Sequence, residues 1–61
     1  MKSSELLRIL KRDGWFEKRK SGSHIIMAHP IKTNILIVPY HGSAEVGKGL
    51  QMDILKQAGL K

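Results

Sequence analysis

No cysteine occurs among the 61 residues, and that absence removes a disulfide framework, a thiol nucleophile and every thiolate metal site. It also fits the reducing cytoplasm expected for this chain. Acidic residues are few: five Asp and Glu, scattered with no pair on one predicted face, leave paired-carboxylate chemistry of the glycosidase kind unsupported. No stretch approaches the ~20 apolar residues of a membrane helix. The opening MKSSELLRIL is broken by Glu5 and Arg8, unlike a secretory signal, so a soluble intracellular protein without a membrane role is expected. Gly47-Lys48-Gly49 lacks the spacing and the following Ser or Thr of a Walker loop; the two glycines read as a helix start. Three histidines without cysteine, and without a clear acidic ligand at helical or hairpin spacing, give no metal site, and no cofactor is implied.

What is abundant is positive charge. Eleven Lys and Arg against five Asp and Glu leave a formal charge of +6, which favours a polyanionic partner, nucleic acid first. The length allows one domain spanning residues 1–61, and a chain of this size buries only ~60% of the surface it exposes when unfolded.

The hydrophobic pattern divides the chain into five elements. Leu6, Ile9 and Leu10 recur at helical spacing behind Ser3 and Ser4 as candidate N-caps, and Gly14 stops the pattern, so a helix is expected from Ser4 to Asp13. Arg8, Lys11 and Arg12 fall toward its opposite, solvated side. Trp15 to Lys20 and His24 to His29 read as two strands joined by the turn residues Ser21-Gly22-Ser23, with Pro30 ending the second. Lys32-Thr33-Asn34 supplies the next turn. Ile35-Leu36-Ile37-Val38 is the strongest strand signal and is expected to be the central or best-covered strand. Tyr40 to Gly49 is a loop with a short helical start near Glu45. Leu50, Ile54, Leu55 and Ala58 then mark a second helix, closed by a Schellman ending in which Gly59 is left-handed and Leu60 folds back on Leu55. The order α-β-β-β-α implies an α+β fold: a three-stranded antiparallel sheet with both helices on one face and the other face open. No internal repeat is expected.

The stretch KSGSHIIMAHP concentrates the chemistry. Alternation puts His24, Ile26 and Ala28 on one strand face and Ile25, Met27 and His29 on the other, so the two histidines point apart and do not share a metal; His41 would have to reach either one alone. His24 follows a Gly-Ser turn of little bulk and lies beside Lys18, Arg19 and Lys20. An imidazole exchanges protons near neutral pH, and clustered cations hold a phosphodiester and stabilise its developing charge. RNA carries its own nucleophile in the 2′-hydroxyl, so such a combination can cleave RNA without metal. The bland alternative, a strand-edge histidine with only a structural role, stays open on spacing alone.

Gly14-Trp15, the turn Gly22-Ser23-His24, His29-Pro30, Val38-Pro39 and the closing Ile54-Leu55-Lys56-Gln57-Ala58-Gly59-Leu60 together resemble the HicA family of small toxins, also called YcfA-like proteins. The match runs along nearly the whole chain. The resemblance implies a fold similar to double-stranded RNA-binding domains, a ribonuclease activity on messenger RNA and neutralisation by a HicB-type antitoxin. The family's catalytic histidine falls on His24. Gly22 and Ser23 match with it, and Lys18, Arg19 and Lys20 are the adjoining candidates for RNA backbone contact. Gly49-Leu50-Gln51-Met52 departs from a commoner pattern of Gly, Thr, Leu and a basic residue, which removes any contact that the basic residue makes.

Two other functions fit the same composition. A non-catalytic RNA-binding module would bind RNA with strong salt dependence and leave it intact; a small interaction protein would use the open sheet face or a strand edge for another chain. Few aromatic residues are available to stack bases, so sequence preference is expected to be loose. The sequence fixes neither the oligomeric state nor the second proton-transfer group.

Overall fold

A computed structural model describes residues 1–40 and 45–60. Helix α1 spans Ser3–Arg12, strand β1 Phe16–Ser21, β2 His24–Ala28, β3 Leu36–Pro39, and helix α2 Lys48–Gln57. The expected α-β-β-β-α order holds. The strands form one antiparallel sheet in the order β1-β2-β3. Ile25 and Met27 of β2 and Leu36 and Val38 of β3 share a buried core with Leu6, Leu7 and Leu10 of α1 and Ile54, Leu55 and Ala58 from the second helical segment. Phe16, Ile35 and Ile37 remain exposed. Both helices therefore cover one face and leave the other open.

The central strand is β2, not the β-branched run that reads as the best covered. β3 is an edge strand because β2 is tied to both neighbours by short connections, so only it can lie between them. Ile37 stays 58% exposed; β-branching marks a strand but does not say which face of it is covered. Helix α1 also differs from expectation at its start: Lys2 is the N-cap, and Ser3 is the buried first helical residue. Lys2 N–H donates to Glu5 Oε1 at 3.3 Å, so an acid in the first turn satisfies the N-cap amide. Glu45 is not a helical start. It forms an isolated antiparallel bridge with Lys2, supported by Val46 N–H donating to Met1 O at 2.8 Å and by the Met1 ammonium 2.9 Å from Glu45 Oε2. Val46 joins the core in place of Leu50, which is 45% exposed. His41 and the remainder of the loop through residue 44 lie outside the described residues.

Both helices end in the same way. In α1, Trp15 N–H donates to Leu10 O and Gly14 N–H to Lys11 O; after α2, Leu60 N–H donates to Leu55 O and Gly59 N–H to Lys56 O. Each is the paired hydrogen bonding of a Schellman motif, with Gly14 at φ 107° and Gly59 at φ 80°. The parallel is visible in ILKRDGW (9–15) and ILKQAGL (54–60), a shared capping pattern rather than a repeated unit. The second motif is the one expected at Gly59. The first delivers Trp15 into the core at 2% exposure, so Trp15 terminates the helix and does not begin the strand.

The loop between β2 and β3 fastens these two helix ends. His29 Nε2 lies 2.7 Å from Asp13 O, while Nδ1 accepts from Ile31 N–H at 3.1 Å and Lys32 N–H at 3.3 Å. Only the tautomer with hydrogen on Nε2 satisfies all three contacts. Lys32 Nζ donates to Asp13 Oδ2 and to Ala58 O, both at 2.6 Å, and Asn34 Nδ2 donates to Gln57 O at 2.8 Å. Helix C-termini carry unpaired carbonyls and partial negative charge, and this loop supplies donors to both. Trp15 packs between them, edge-on to His29 at 5.2 Å and beneath Lys32 Nζ at 5.7 Å.

Asp13 registers this arrangement. The Lys32 hydrogen bond holds its carboxyl below the usual value of 3.8; partial burial pushes the other way, and the charge of Lys32 with smaller contributions from the neighbouring His29 and the Trp15 indole N–H lower it further. The buried Trp15 Nε1 nevertheless has no acceptor at hydrogen-bond geometry among the described residues. A carboxyl whose folded pKa lies below its unfolded value stabilises the fold fully above the unfolded value, and that contribution disappears as pH falls through the folded one. Acid unfolding is thus expected to show a limb below about pH 4 that flattens in Lys32→Met, checked by circular dichroism across pH.

A second expectation concerns Gly14. A β-carbon there would lie 2.8 Å from His29 Nε2, whereas one at Gly59 would meet only the flexible end of Lys32, with Nζ at 3.2 Å and Cε at 3.6 Å. Both positions require positive φ, which costs a residue with a side chain ~1–2 kcal/mol. Gly14→Ala must in addition displace a fixed ring, so it is expected to lower the melting temperature more than Gly59→Ala, by roughly 10 °C or more for a domain of this size.

Candidate functional site

The hairpin turn places the site. Ser21 pairs with His24, leaving Gly22 and Ser23 as a two-residue loop. Gly22 has φ 58° and Ser23 does not have positive φ, the II′ pattern that follows the right-handed twist of the strands. A β-carbon on Gly22 would meet nothing within 4 Å, so its glycine serves the turn rather than a tight contact. His24 emerges from this turn exposed to solvent.

Cross-strand partners point to the same face, and the register therefore identifies the neighbours of His24. Ser21 lies opposite it on β1 and Pro39 opposite it on β3. Ile26 follows on the same strand, flanked by Arg19 and Ile37. The register slips between Glu17 and Arg19, making Lys18 the extra residue of a β-bulge. Beyond the bulge Glu17 pairs with Met27, on the helix side, where it meets Lys11 of α1 at 2.8 Å. Lys20 pairs with Ile25, also on the helix side, and its Nζ lies 5.8 Å from the centre of the Tyr40 ring.

The three candidate cations are thus separated. Arg19 shares the open face with His24, diagonal to it at a backbone separation of roughly 7–8 Å, within reach of an arginine side chain. Lys20 faces away, and Lys18 is unpaired in the bulge. Neither Lys18 nor Arg19 makes an ion pair among the described residues, so their charge is available to a ligand. Ser21 adds a hydroxyl-bearing residue beside His24 that sequence inspection did not single out; the two-residue turn length was its available signal.

His24 and His29 lie on opposite faces, as alternation requires. His29 has 7% side-chain exposure and both ring nitrogens occupied, whereas His24 is open. His29 is therefore part of the frame. No group of three or more His, Cys, Asp or Glu is assembled for a metal among the described residues, and none of their helices is long and apolar enough to cross a membrane. What the face offers is one accessible imidazole, one unpaired guanidinium and an apolar floor of Phe16, Ile26, Ile37 and Pro39. That set can exchange a proton and hold an anionic oxygen at the same surface.

The family model for the HicA toxin of bacterial toxin–antitoxin systems matches residues 3–60. A protein from Pseudomonas fluorescens (strain Pf0-1) named probable mRNA interferase HicA is 41% identical over 61 residues, covering 100% of this chain and 98% of the relative.

The contrast between the two histidines is directly measurable. Brief treatment with diethyl pyrocarbonate, mapped by mass spectrometry, is expected to modify His24 well before His29; equal modification in the folded state would contradict the tautomer and packing assigned to His29.

Proposed function

The chain belongs to the HicA toxin family, and on that premise we propose that it is a cytoplasmic, metal-independent endoribonuclease that cleaves messenger RNA through His24 and is neutralised by a HicB-type antitoxin. The observation that supports this reading most is the pairing of one exposed imidazole with one unpaired arginine on an open sheet face. In the reaction His24 accepts the proton of a 2′-hydroxyl. The freed oxygen attacks the adjacent phosphorus, and the bond to the 5′-oxygen breaks, leaving a cyclic phosphate and a 5′-hydroxyl whose proton comes from water, while His24 returns its own to solvent. Arg19 holds the non-bridging oxygens as their charge grows, which is where a fixed guanidinium has most effect. Gly22 keeps the turn free of bulk, and Ser23 fixes its end through the carbonyl that accepts Tyr40 N–H at 2.7 Å. Lys18, projecting from the bulge, supplies longer-range attraction. Lys20, on the other side of the sheet, has no part in the reacting bond.

The same face accounts for neutralisation. Phe16, Ile35 and Ile37 are 49%, 51% and 58% exposed, and they extend the open face from Arg19 away from His24, with Ile37 next to Ile26 and Phe16 opposite Ala28. An antitoxin segment with acidic residues and an apolar strip would cover imidazole, guanidinium and floor together, stabilising a small domain by mass action as it blocks the site.

The direct trial is purified protein on RNA with chelator present. Loss of a proton-transferring group typically costs ~10²–10⁴ in rate, so His24→Ala is expected to fall at least ~100-fold while melting within a few degrees of wild type, because the ring is exposed. Arg19→Gln is expected to lose more activity than Lys20→Gln. Undiminished cleavage by folded His24→Ala would sink the catalytic assignment, and intact RNA with the wild type would favour a binding module.

A further inference from the structure

Beside α1 lies a groove of about 280 Å³ lined by Ser4, Leu7, Arg8, Lys11 and Tyr40. Its polar wall is a single helical stripe, since Ser4, Arg8 and Lys11 follow at spacings of four and three residues. Leu7 is buried and Tyr40 half-buried, which gives the groove an apolar and aromatic side. Arg8 is exposed and makes no ion pair among the described residues. Lys11 is held by Glu17 yet keeps 51% side-chain exposure, and Lys20 flanks the Tyr40 ring. Cations aligned along one wall and a ring on the other are what a single-stranded nucleic acid uses: phosphates against the charges, bases or riboses against the apolar side.

The groove is joined to the catalytic face through the chain itself. Pro39 is the cross-strand partner of His24, and the next residue, Tyr40, donates its backbone N–H to Ser23 O at 2.7 Å. Alternation turns consecutive residues to opposite sides of the sheet, so a strand lying across His24 and Pro39 reaches Tyr40 by rounding the hairpin end. We propose that Arg8, Lys11 and Tyr40 form a second RNA subsite, which holds a nucleotide flanking the bond presented to His24. The subsite rests on the ribonuclease reading for its substrate, and it explains why Lys20 is positively charged on the side of the sheet away from His24. An acidic protein segment would meet the same cations but has no comparable use for the aromatic wall.

The test measures binding of uncleavable 2′-O-methyl RNA oligomers of increasing length to the full chain by fluorescence anisotropy over a range of salt. Arg8→Gln is expected to weaken the longer oligomers and to reduce the slope of log affinity against log salt by about 0.7, the loss of one single-strand phosphate contact. Arg8→Lys should restore the slope. Arg12→Gln, which removes the same charge from the same helix outside the groove, should have the smaller effect, and Tyr40→Leu, compared at matched thermal stability, should weaken binding about fivefold or more. Equal losses for Arg8→Gln and Arg12→Gln would reduce the groove to diffuse charge and overturn the proposal. So would wild-type RNA binding by Arg8→Gln with weakened antitoxin binding, which would make the groove a protein-docking surface. Because the oligomers are not cut, the readout separates the two ideas: no cleavage with Arg8-specific binding sinks the nuclease reading alone, and cleavage with Arg8-independent binding sinks the subsite alone.

Discussion

The fastening of two helix C-termini by the loop at residues 29–34 is the constraint on which the rest of the structure depends. Each helix has ten residues, shorter than the ~12–15 at which isolated helices become even marginal in water. Their persistence and orientation must come from tertiary contacts. The core supplies the area, but hydrophobic burial is non-directional. Directional contacts come from His29, Lys32 and Asn34, whose donors meet the terminal carbonyls of Asp13, Ala58 and Gln57. With both helix ends tied to one loop, both helices bury residues against Ile25, Met27, Leu36 and Val38, and the opposite face is left to solvent.

That division separates the chain's described histidines by their surroundings. His29 is committed through both ring nitrogens and through Trp15, and its ring fills the space that a side chain at position 14 would need. His24 is committed to nothing within the described residues. A frame built on one side of a thin sheet thus leaves an accessible ring on the other. On the proposed reading the site is a surface rather than a cleft, so its selectivity would come from contacts spread along the bound strand. This is the context in which a groove around the hairpin end, lined by Arg8, Lys11 and Tyr40, acquires significance.

Two departures from the sequence reading share a cause. The β-branched stretch at 35–38 forms a strand, as its composition demands, but lies at the edge. Leu50 has helical spacing with Ile54 yet faces solvent, because the bridge between Lys2 and Glu45 brings Val46 into the core. Ser3 and Ser4 have N-cap chemistry, but Glu5 satisfies the Lys2 amide and the helix begins one residue earlier. In the first two cases a local preference was read correctly and a pairing distant in sequence decided how it was used; at the start of α1 one local cap displaced another.

The sequence by itself determined the element order, the glycine-dependent ends of both helices, the tight Gly22-Ser23 turn and the assignment of His24 and His29 to opposite faces. These follow from backbone sterics, side-chain alternation and hydrogen bonds spanning a few residues, and a short stretch of chain carries all of that information. Only the tertiary structure decided that β2 is central, that Lys32 bridges Asp13 and Ala58, and that the β-bulge at Lys18 leaves Arg19 beside His24 while Lys20 turns toward Tyr40. Register and bulge are set by how two strands align over a shared core. A one-residue slip in that alignment moves side chains from one face to the other, so identifying the cation that accompanies His24 required the paired sheet.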